Sequence, residues 1–399
     1  MLLSLFRSEI QTELTNILDW WTTRMTDNIN GGFYGRIDGH GNLHRKANKG
    51  IILNTRILWT YSKVFQQSSD PKYQILADRA YQYICRYFWD HKNQGVYWML
   101  DYHGIPVNTQ KQVYAQAFAI YAFSAYYEIN PTPDVLEKIE LTFQCIEKHS
   151  RDKEKGGYLN VFNQDWSIAK DQKLSEKDAD QIKIMNTHLH VLEAYTSLYG
   201  IKKEAVYREA LNYVLHIYLS KFCVRDPCHL YLYFDEDWQP TSEEKSFGHD
   251  IESSWLILEA AESLNEPNIT LTARKVSIAL ADATYKFGQD KNGGIYEKTD
   301  ASGIEIEKEK HWWPQAEAVV GYLNAWQISG DEKYLTIALQ TWHFIQNHFV
   351  DTINGEWHWL IKEDGQPDLQ EDKAGPWKAP YHNVRMCLEV LHRLKSPST

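Results

Sequence analysis

The sequence lacks any apolar run near the roughly 20 residues that a membrane-spanning helix requires. It is short of positive charge, since 42 lysines and arginines face 53 aspartates and glutamates, for a net charge of −11. Such an acidic balance argues against nucleic acid or an anionic membrane surface as a partner. With only 21 glycines and 12 prolines in 399 residues, the composition also excludes collagen-like and low-complexity chains. We therefore predict a globular protein.

Cysteine is scarce and scattered, and the recognisable cofactor loops are absent. The five cysteines (Cys85, Cys145, Cys223, Cys228 and Cys387) form no Cys-x-x-Cys pair. The first ten residues also lack the long apolar stretch and cleavage site of a secretory signal. Both observations predict reduced thiols and a cytoplasmic location. No phosphate-binding glycine loop, dinucleotide fingerprint or Gly-x-Ser-x-Gly nucleophile elbow occurs, and no cofactor is expected.

Aromatic residues are abundant, and many recur at a fixed period. They make up 14% of the chain, and a short aromatic, strand-like segment, introduced by glycine in five of six cases, appears at intervals of about 61 to 72 residues. Most of these segments precede an acidic turn, which predicts a β-hairpin. The six anchors of the repeat are Gly32, Gly95, Gly157, His229, Gly294 and Gly355.

Each interval between anchors has room for two helices, with apolar residues at helical spacing. The first helices of the pairs are predicted at 50–64, 112–127, 185–199, 247–263, 312–328 and 379–394. The second helices are predicted at 71–88, 133–149, 202–221, 268–287 and 332–348, with 2–22 as the sixth. Six helix pairs linked by short hairpins predict an all-α fold, an (α/α)6 barrel formed by a single domain over residues 1–399. An open α-solenoid is the alternative, but its repeats are normally shorter.

Three of the first helices carry a histidine near their start, so the sequence predicts a pocket at one end of the barrel. His249 and Glu252 share a helix face at positions i and i+3. A carboxylate beside an imidazole orients the ring and raises its basicity. A structural histidine in a capping arrangement is the alternative for this segment.

The other two histidine helices show the same kind of spacing. Asn186 and His190 lie at i and i+4, and His382 and Arg385 at i and i+3. His188 faces away from His190 and is expected to pack against a neighbouring helix. The histidines share faces with carboxylate, amide and guanidinium groups rather than with each other, so no metal site is expected.

This set of residue types favours proton transfer beside a sugar carbonyl. Imidazoles can exchange a proton near neutrality, and N–H donors stabilise an enediolate. A glycoside hydrolase would need two facing carboxylates, for which Glu252, Glu317 and Asp250 are the candidates. The polar segments are richer in histidine than in such pairs. A sugar-binding toroid without catalysis is the non-enzymatic alternative.

Four segments of the chain resemble the cellobiose 2-epimerase family, within a wider group that includes N-acylglucosamine 2-epimerases and mannose isomerases. With the six-fold pattern, the resemblance extends over nearly the whole chain. The segments are Asn186-Thr-His-Leu-His190-Val-Leu-Glu-Ala-Tyr195, Gly248-His-Asp-Ile-Glu252-Ser-Ser-Trp255, His311-Trp-Trp-Pro-Gln-Ala-Glu317 and Trp377-Lys-Ala-Pro-Tyr-His382-Asn-Val-Arg385.

The resemblance implies a role for individual residues. His249 and His382 would be the paired acid/base catalysts, with Glu252 supporting His249, while His190 would hydrogen-bond the enediolate. The residues expected to contact the sugar are Arg56, Tyr114, Asn186, Trp312, Trp377 and Arg385, with the two tryptophans stacking on the two sugar units.

The resemblance implies epimerisation at C2 of the reducing-end residue of β-1,4-disaccharides such as cellobiose, lactose and mannobiose. An aldose–ketose isomerase acting on mannose-type sugars and a glycoside hydrolase are the alternatives. We expect a monomer or weak homo-oligomer, and a lid formed by the long polar segment 163–183.

Overall fold

The computed structural model describes residues 2–173, 180–223 and 228–395, and these contain twelve α-helices. The predicted first helices of the pairs begin within one residue of the observed helices in five of six cases. The helices are α1 Leu2–Arg24, α2 Ile51–Ser68, α3 Pro71–Tyr83, α4 Val113–Ile129, α5 Pro133–Cys145, α6 Met185–Ile201, α7 Ala205–Ile217, α8 Phe247–Leu264, α9 Pro267–Ala283, α10 Trp312–Ser329, α11 Glu332–Phe344 and α12 His382–Arg393.

The even-numbered helices form the inner ring of an (α/α)6 barrel, and the odd-numbered helices surround them. Inner helix α4 is buried over almost its whole length, because it packs against other helices on every side. Outer helix α7 instead buries one apolar stripe and exposes the opposite face, as expected for a surface helix. The predicted fold class is confirmed.

Short strands join successive units of the ring. The strand before an inner helix pairs with the hairpin of the next unit, as in β1 with β2, β4 with β5, β6 with β7 and β10 with β11. A bridge between Ile37 and Ala374 connects the last unit to the first, which closes the ring. The strands are β1 Lys49–Gly50, β2 Met99–Leu100, β3 Pro106–Asn108, β4 Lys111–Gln112, β5 Val161–Phe162, β6 Lys183–Ile184, β7 Tyr233–Phe234, β8 Lys298–Thr299, β9 Ile306–Glu307, β10 Lys310–His311 and β11 Leu360–Ile361.

The N-terminal helix α1 completes the outer ring, as predicted. Its buried Glu13 accepts a hydrogen bond from Trp357 Nε1 at 2.7 Å, and Trp20 Nε1 donates to the Asn354 carbonyl at 2.9 Å. Both contacts join the start of the chain to the last hairpin, more than 330 residues away.

A buried polar side chain ties each of four inner helices to a neighbouring hairpin. Gln116, His188, Asp250 and Gln315 accept hydrogen bonds of 2.7 to 2.9 Å from the main-chain N–H groups of Val96, Tyr158, Leu230 and Ile295, respectively. Without these partners the N–H groups would be buried and unsatisfied, at a cost of roughly 1–3 kcal/mol each. His188 and Asp250 are therefore structural residues, in agreement with the expectation that His188 packs away from the pocket.

Five outer helices end in a π-helical turn of five residues, which the sequence analysis did not anticipate. These turns occupy 84–88, 146–150, 218–222, 284–288 and 345–349. The first and last residues of each turn are buried. The wider turn thus places two residues, four positions apart, against the core before the chain enters the hairpin.

Helix α12 begins at His382, three residues later than predicted. The residue before a proline is disfavoured in the helical conformation, which affects Ala379. In a helix that included Pro380, its carbonyl would accept the Val384 N–H. Here that carbonyl accepts the Thr60 hydroxyl at 2.7 Å, and the Val384 N–H donates to Asn383 Oδ1. The consequence is that His382 stands at the first position of α12.

Within the described residues, no helix is long and apolar enough to cross a membrane. The centre of the predicted lid, residues 174–179, lies outside the described residues. Its C-terminal flank is anchored, since Asn160 Nδ2 donates to the carbonyls of Gln181 and Ile182 at 3.0 and 2.7 Å. The lid stays a prediction.

Candidate active site

A cavity of about 500 Å³ opens where the inner helices begin, and we call it the front cavity. Nine of the ten predicted site residues line it, and they come from the six inner helices and the loop before α12. Its lining residues are Arg56, Tyr114, Asn186, His190, His249, Glu252, Glu297, His311, Trp312, Trp313, Trp359, Glu371, Asp372, Pro376, Trp377 and His382.

His382 is oriented by a carboxylate from the neighbouring helix α10. Its Nδ1 lies 2.7 Å from Glu317 Oε1, and Glu317 is held ionised because Arg385 and His382 keep its pKa low against the effect of burial. Nδ1 therefore donates to Glu317, which leaves the Nε2 lone pair as a base. Burial lowers the pKa of His382 to about 3, so the ring is neutral at pH 7.

His249 has a different partner from the one expected. Its Nδ1 lies 2.8 Å from the Oγ atom of Ser246, three residues earlier, and does not pair with Glu252. Burial, followed by the proximity of His190 and His382, lowers the pKa of His249 to about 3. The expected support of His249 by Glu252 is corrected, because the carboxyl of Glu252 is drawn towards Arg385.

His190 belongs to a second imidazole–carboxylate pair. Its Nδ1 contacts Glu193 Oε2 at 2.8 Å, one turn along α6. Burial lowers the pKa of His190, while Arg385 and the hydrogen bonds of Glu193 lower that carboxyl's pKa to about 2. The neutral ring presents Nε2 to the cavity as a hydrogen-bond acceptor, so it can donate to an enediolate oxygen only after protonation.

Arg385 does not line the front cavity, and its expected role in substrate contact is corrected. The guanidinium lies beneath the cavity floor, where Nη2 donates to Glu252 Oε1 at 2.6 Å and to Glu317 Oε1 at 2.7 Å. Nη1 donates to Glu193 and to the Tyr381 hydroxyl. One cation thus links the carboxylates that orient His382 and His190, which makes Arg385 a positioning residue.

The surroundings of Glu252 favour its protonated form. Burial and the adjacent negative charge of Glu317 raise the pKa of Glu252 to about 8, since a single guanidinium cannot offset every carboxylate around it. Because Glu252 also lines the front cavity, its carboxylic acid supplies a hydrogen-bond donor there.

Arg56 and Tyr114 form one side of the cavity together. Arg56 Nη2 donates to the Tyr114 hydroxyl at 3.0 Å, and Nη1 donates to the main-chain carbonyl of Trp377 at 2.7 Å. Arg56 has no carboxylate partner within hydrogen-bond distance among the described residues. It is therefore available to stabilise negative charge that develops on a ligand.

Aromatic rings make up much of the remaining wall. Trp377 is half-buried and packs edge-on against Trp98 and Tyr114, with ring centroids 5.6 and 5.7 Å apart. The ring of Trp313 contacts two histidines, with ring centroids 4.7 Å apart for His249 and 5.7 Å apart for His382. A flat apolar face beside polar groups is suited to a sugar ring.

Glu252, Glu317 and His382 have ligand atoms close enough together to hold a metal ion. Their donor set does not suit one, because the Arg385 guanidinium already donates to both carboxylates and Nδ1 of His382 donates to Glu317. A divalent cation there would have to displace an arginine that is 1% exposed. The expectation that no metal is used stays a prediction.

Several residues of the site were missed as functional residues by the sequence analysis. Glu317 was considered only as a carboxylate of the glycoside hydrolase alternative and Glu193 was given no role, although a buried carboxylate on an otherwise apolar inner helix signals a paired charge. Ser246 and Trp313 carried no pattern that singles them out. The pair of Glu317 with His382 could be found only from the packing of α10 and α12, whereas Glu193 lies three residues from His190 on α6 and the spacing could have indicated that pair.

The sequence model of N-acylglucosamine 2-epimerase matches residues 32–386. A cellobiose 2-epimerase of Bacteroides fragilis is 43% identical over 388 residues, covering 97% of this chain and 99% of that protein. The solved cellobiose 2-epimerase of Bacillus thermoamylovorans superposes with a TM-score of 0.93 at 34% identity, covering 98% of this chain and 100% of the other.

A solved D-mannose isomerase superposes with a TM-score of 0.86 at 21% identity, covering 97% of this chain and 98% of the other, and that likeness concerns the fold alone. The family match and the relatives that cover nearly the whole chain assign the family and the enzyme class as well as the fold. This chain belongs to the N-acylglucosamine 2-epimerase family and is a carbohydrate 2-epimerase, an enzyme of the isomerase class.

Proposed function

We propose that this enzyme inverts C2 of the reducing-end residue of β-1,4-disaccharides, with cellobiose, lactose and mannobiose as substrates, through proton transfer by His249 and His382. The observation that carries the proposal is that both imidazoles line one cavity, both contact the ring of Trp313, and both are neutral at pH 7. A neutral imidazole can act as a base at the pH at which the enzyme must work.

The reaction begins with ring opening, in which the anomeric O1 proton is lost and the ring oxygen gains one, to give the aldehyde. One histidine then removes the C2 proton, and the C2–H electron pair forms the enediolate. Arg56 stabilises the negative oxygen, and the acid of Glu252 donates a further hydrogen bond. The second histidine delivers a solvent-derived proton to the opposite face of C2, and the first releases its proton to solvent.

Inversion predicts a specific isotope pattern. In heavy water, the 2-epimer formed from cellobiose should carry one deuterium at C2 from the earliest time points, with ketose as a minor product. The physical reason is that protonation at C2 uses a proton held by a histidine in exchange with solvent. Proton and carbon-13 NMR of the separated products measure both quantities.

Two outcomes would contradict this proposal in different ways. If ketose predominated from the start, proton transfer to C1 would be the main reaction, and the alternative of a mannose-type aldose–ketose isomerase would replace it. If free glucose appeared, the enzyme would be a hydrolase. Running the same assay with mannose as well as cellobiose distinguishes an aldose–ketose isomerase from an epimerase that forms ketose in a slow side reaction.

The second sugar unit is expected to stack on the tryptophans of the front cavity. Trp377→Ala should lower kcat/KM for cellobiose at least several-fold, because about 1–3 kcal/mol of aromatic contact is lost. The hydrogen bond from Arg56 to Trp377 is to the main-chain carbonyl and not to the side chain, so the alanine variant retains it. Steady-state rates with cellobiose and with glucose, compared within the same variant, provide the measurement.

Glucose is the internal control for Trp377→Ala, since it has no second ring to stack. An equal loss on both sugars would mean that Trp377 supports the reacting ring, and an unchanged rate on cellobiose would mean that the second unit binds elsewhere.

A further inference from the structure

A second cavity, of about 470 Å³, lies at the opposite end of the barrel, where the inner helices α2, α4, α6, α8 and α12 end. We call it the rear cavity. Its volume is within the range of small-molecule sites. Its floor is the underside of the catalytic network, because Glu193 and Arg385 belong to its lining.

Most charges around the rear cavity are already paired. Lys63 forms an ion pair with Glu128, Glu389 with Arg393, and Arg385 is held by its carboxylates. A ligand with one strong charge therefore gains little, since each sign would meet neighbours of both signs. The balance of charge favours a neutral ligand.

Several polar groups of this cavity stay unengaged. Among the residues that the structure describes, the carboxylate of Glu259, the hydroxyl of Ser197, the amide of Gln67 and the ring of His392 make no hydrogen bond to protein. The side chain of Glu259 is exposed to solvent at this end of the barrel. Hydroxyl donors from a ligand would stabilise its carboxylate.

The inner wall is aromatic. Trp59 and Tyr121 stack with ring centroids 5.5 Å apart, and Trp255 lies on the opposite side of the lining with its indole N–H donating to Glu317 at 3.1 Å. Flat rings beside an acceptor carboxylate, a hydroxyl and an amide form the combination that recognises the apolar and hydroxyl faces of a sugar.

We infer that the rear cavity is a second carbohydrate site, which binds a neutral monosaccharide through Glu259, Ser197 and the aromatic wall. This site is separate from the front cavity and does not depend on the reaction proposed above. Binding there does not require ring opening, because none of the imidazoles of the front cavity reaches it.

The test uses methyl α-D-glucopyranoside, whose locked ring cannot be turned over. Crystals soaked in this glycoside should show it in the rear cavity with a hydroxyl on Glu259. In solution, the protein carrying 5-fluorotryptophan should show a saturable fluorine shift of Trp59, assigned with Trp59→Phe. Glu259→Ala should weaken the dissociation constant at least fivefold, and Ser197→Ala should weaken it as well.

The matched control is Glu209→Ala, an exposed glutamate on the outer helix α7, which should leave binding unchanged. Thermal unfolding of each variant confirms folding without reference to turnover, so failure of the proposed reaction and failure of this site are distinguishable. Glycoside found only in the front cavity, or a Trp59 shift that Glu259→Ala leaves unaltered, would overturn the inference.

Discussion

Replacing either His249 or His382 by alanine is expected to lower kcat/KM for 2-epimerisation by roughly 10²–10⁴-fold, the usual contribution of a general acid/base. Inversion at C2 needs one group to remove the proton and another to return it on the opposite face. The loss should therefore be similar for the two variants, and the double variant should be little worse than either alone. Initial rates with cellobiose across pH 6–9 measure it.

His216→Ala is the matched control, since this histidine lies exposed on the outer helix α7 and should leave the rate unchanged. Heavy-water exchange sharpens the test. With one base on each face, the variant that keeps the histidine facing the substrate's C2 proton should still exchange that proton with solvent without forming the epimer, and the other variant should not exchange it. Near wild-type turnover in either variant would remove the two-base assignment.

The barrel itself could be predicted because its signals repeat. The aromatic hairpins recur in all six units, and bridges such as Trp89 with Val96 and Val350 with Trp357 occur at each of the six predicted positions. A repeated pattern averages out local ambiguity, which is why most helix boundaries agree closely. The start of α12 was misplaced because Pro380 disfavours a helical conformation at Ala379 and a long-range hydrogen bond from Thr60 engages the Pro380 carbonyl.

The front cavity could be predicted only as a set of residues. Histidines near the starts of α6, α8 and α12 converge because all inner helices begin at the same end of the barrel. The partner of His382 could not be predicted, since Glu317 and His382 are 65 positions apart and meet only through helix packing. Within one helix, spacing suggested Glu252 for His249, yet the stronger attraction of the Arg385 guanidinium decides where that carboxyl lies.

This dependence on Arg385 leads to the second large effect. Arg385→Met is expected to destabilise the protein by roughly 3–5 kcal/mol at pH 7, because buried Glu193 and Glu317 lose their cation. Methionine fills much of the space with an apolar, flexible chain, so the loss reflects charge more than volume. Urea unfolding followed by tryptophan fluorescence gives the free energy. Arg393→Met, on the same helix but paired with Glu389 at the rim, should cost less than about 1 kcal/mol.

The pH dependence separates this electrostatic cause from simple loss of packing. In the wild type the pKa values of Glu193 and Glu317 are lowered, so their stabilising contribution is present above the ordinary glutamate value and is lost as pH falls towards the folded values. In Arg385→Met the same carboxyls are buried without a cation, so their pKa values rise and ionisation above the ordinary value favours unfolding. The stability difference between the two proteins should therefore be largest near pH 7 and shrink towards pH 4. A difference that stays constant with pH would assign the loss to packing and would remove Arg385 as the shared counter-ion of the two histidine–carboxylate pairs.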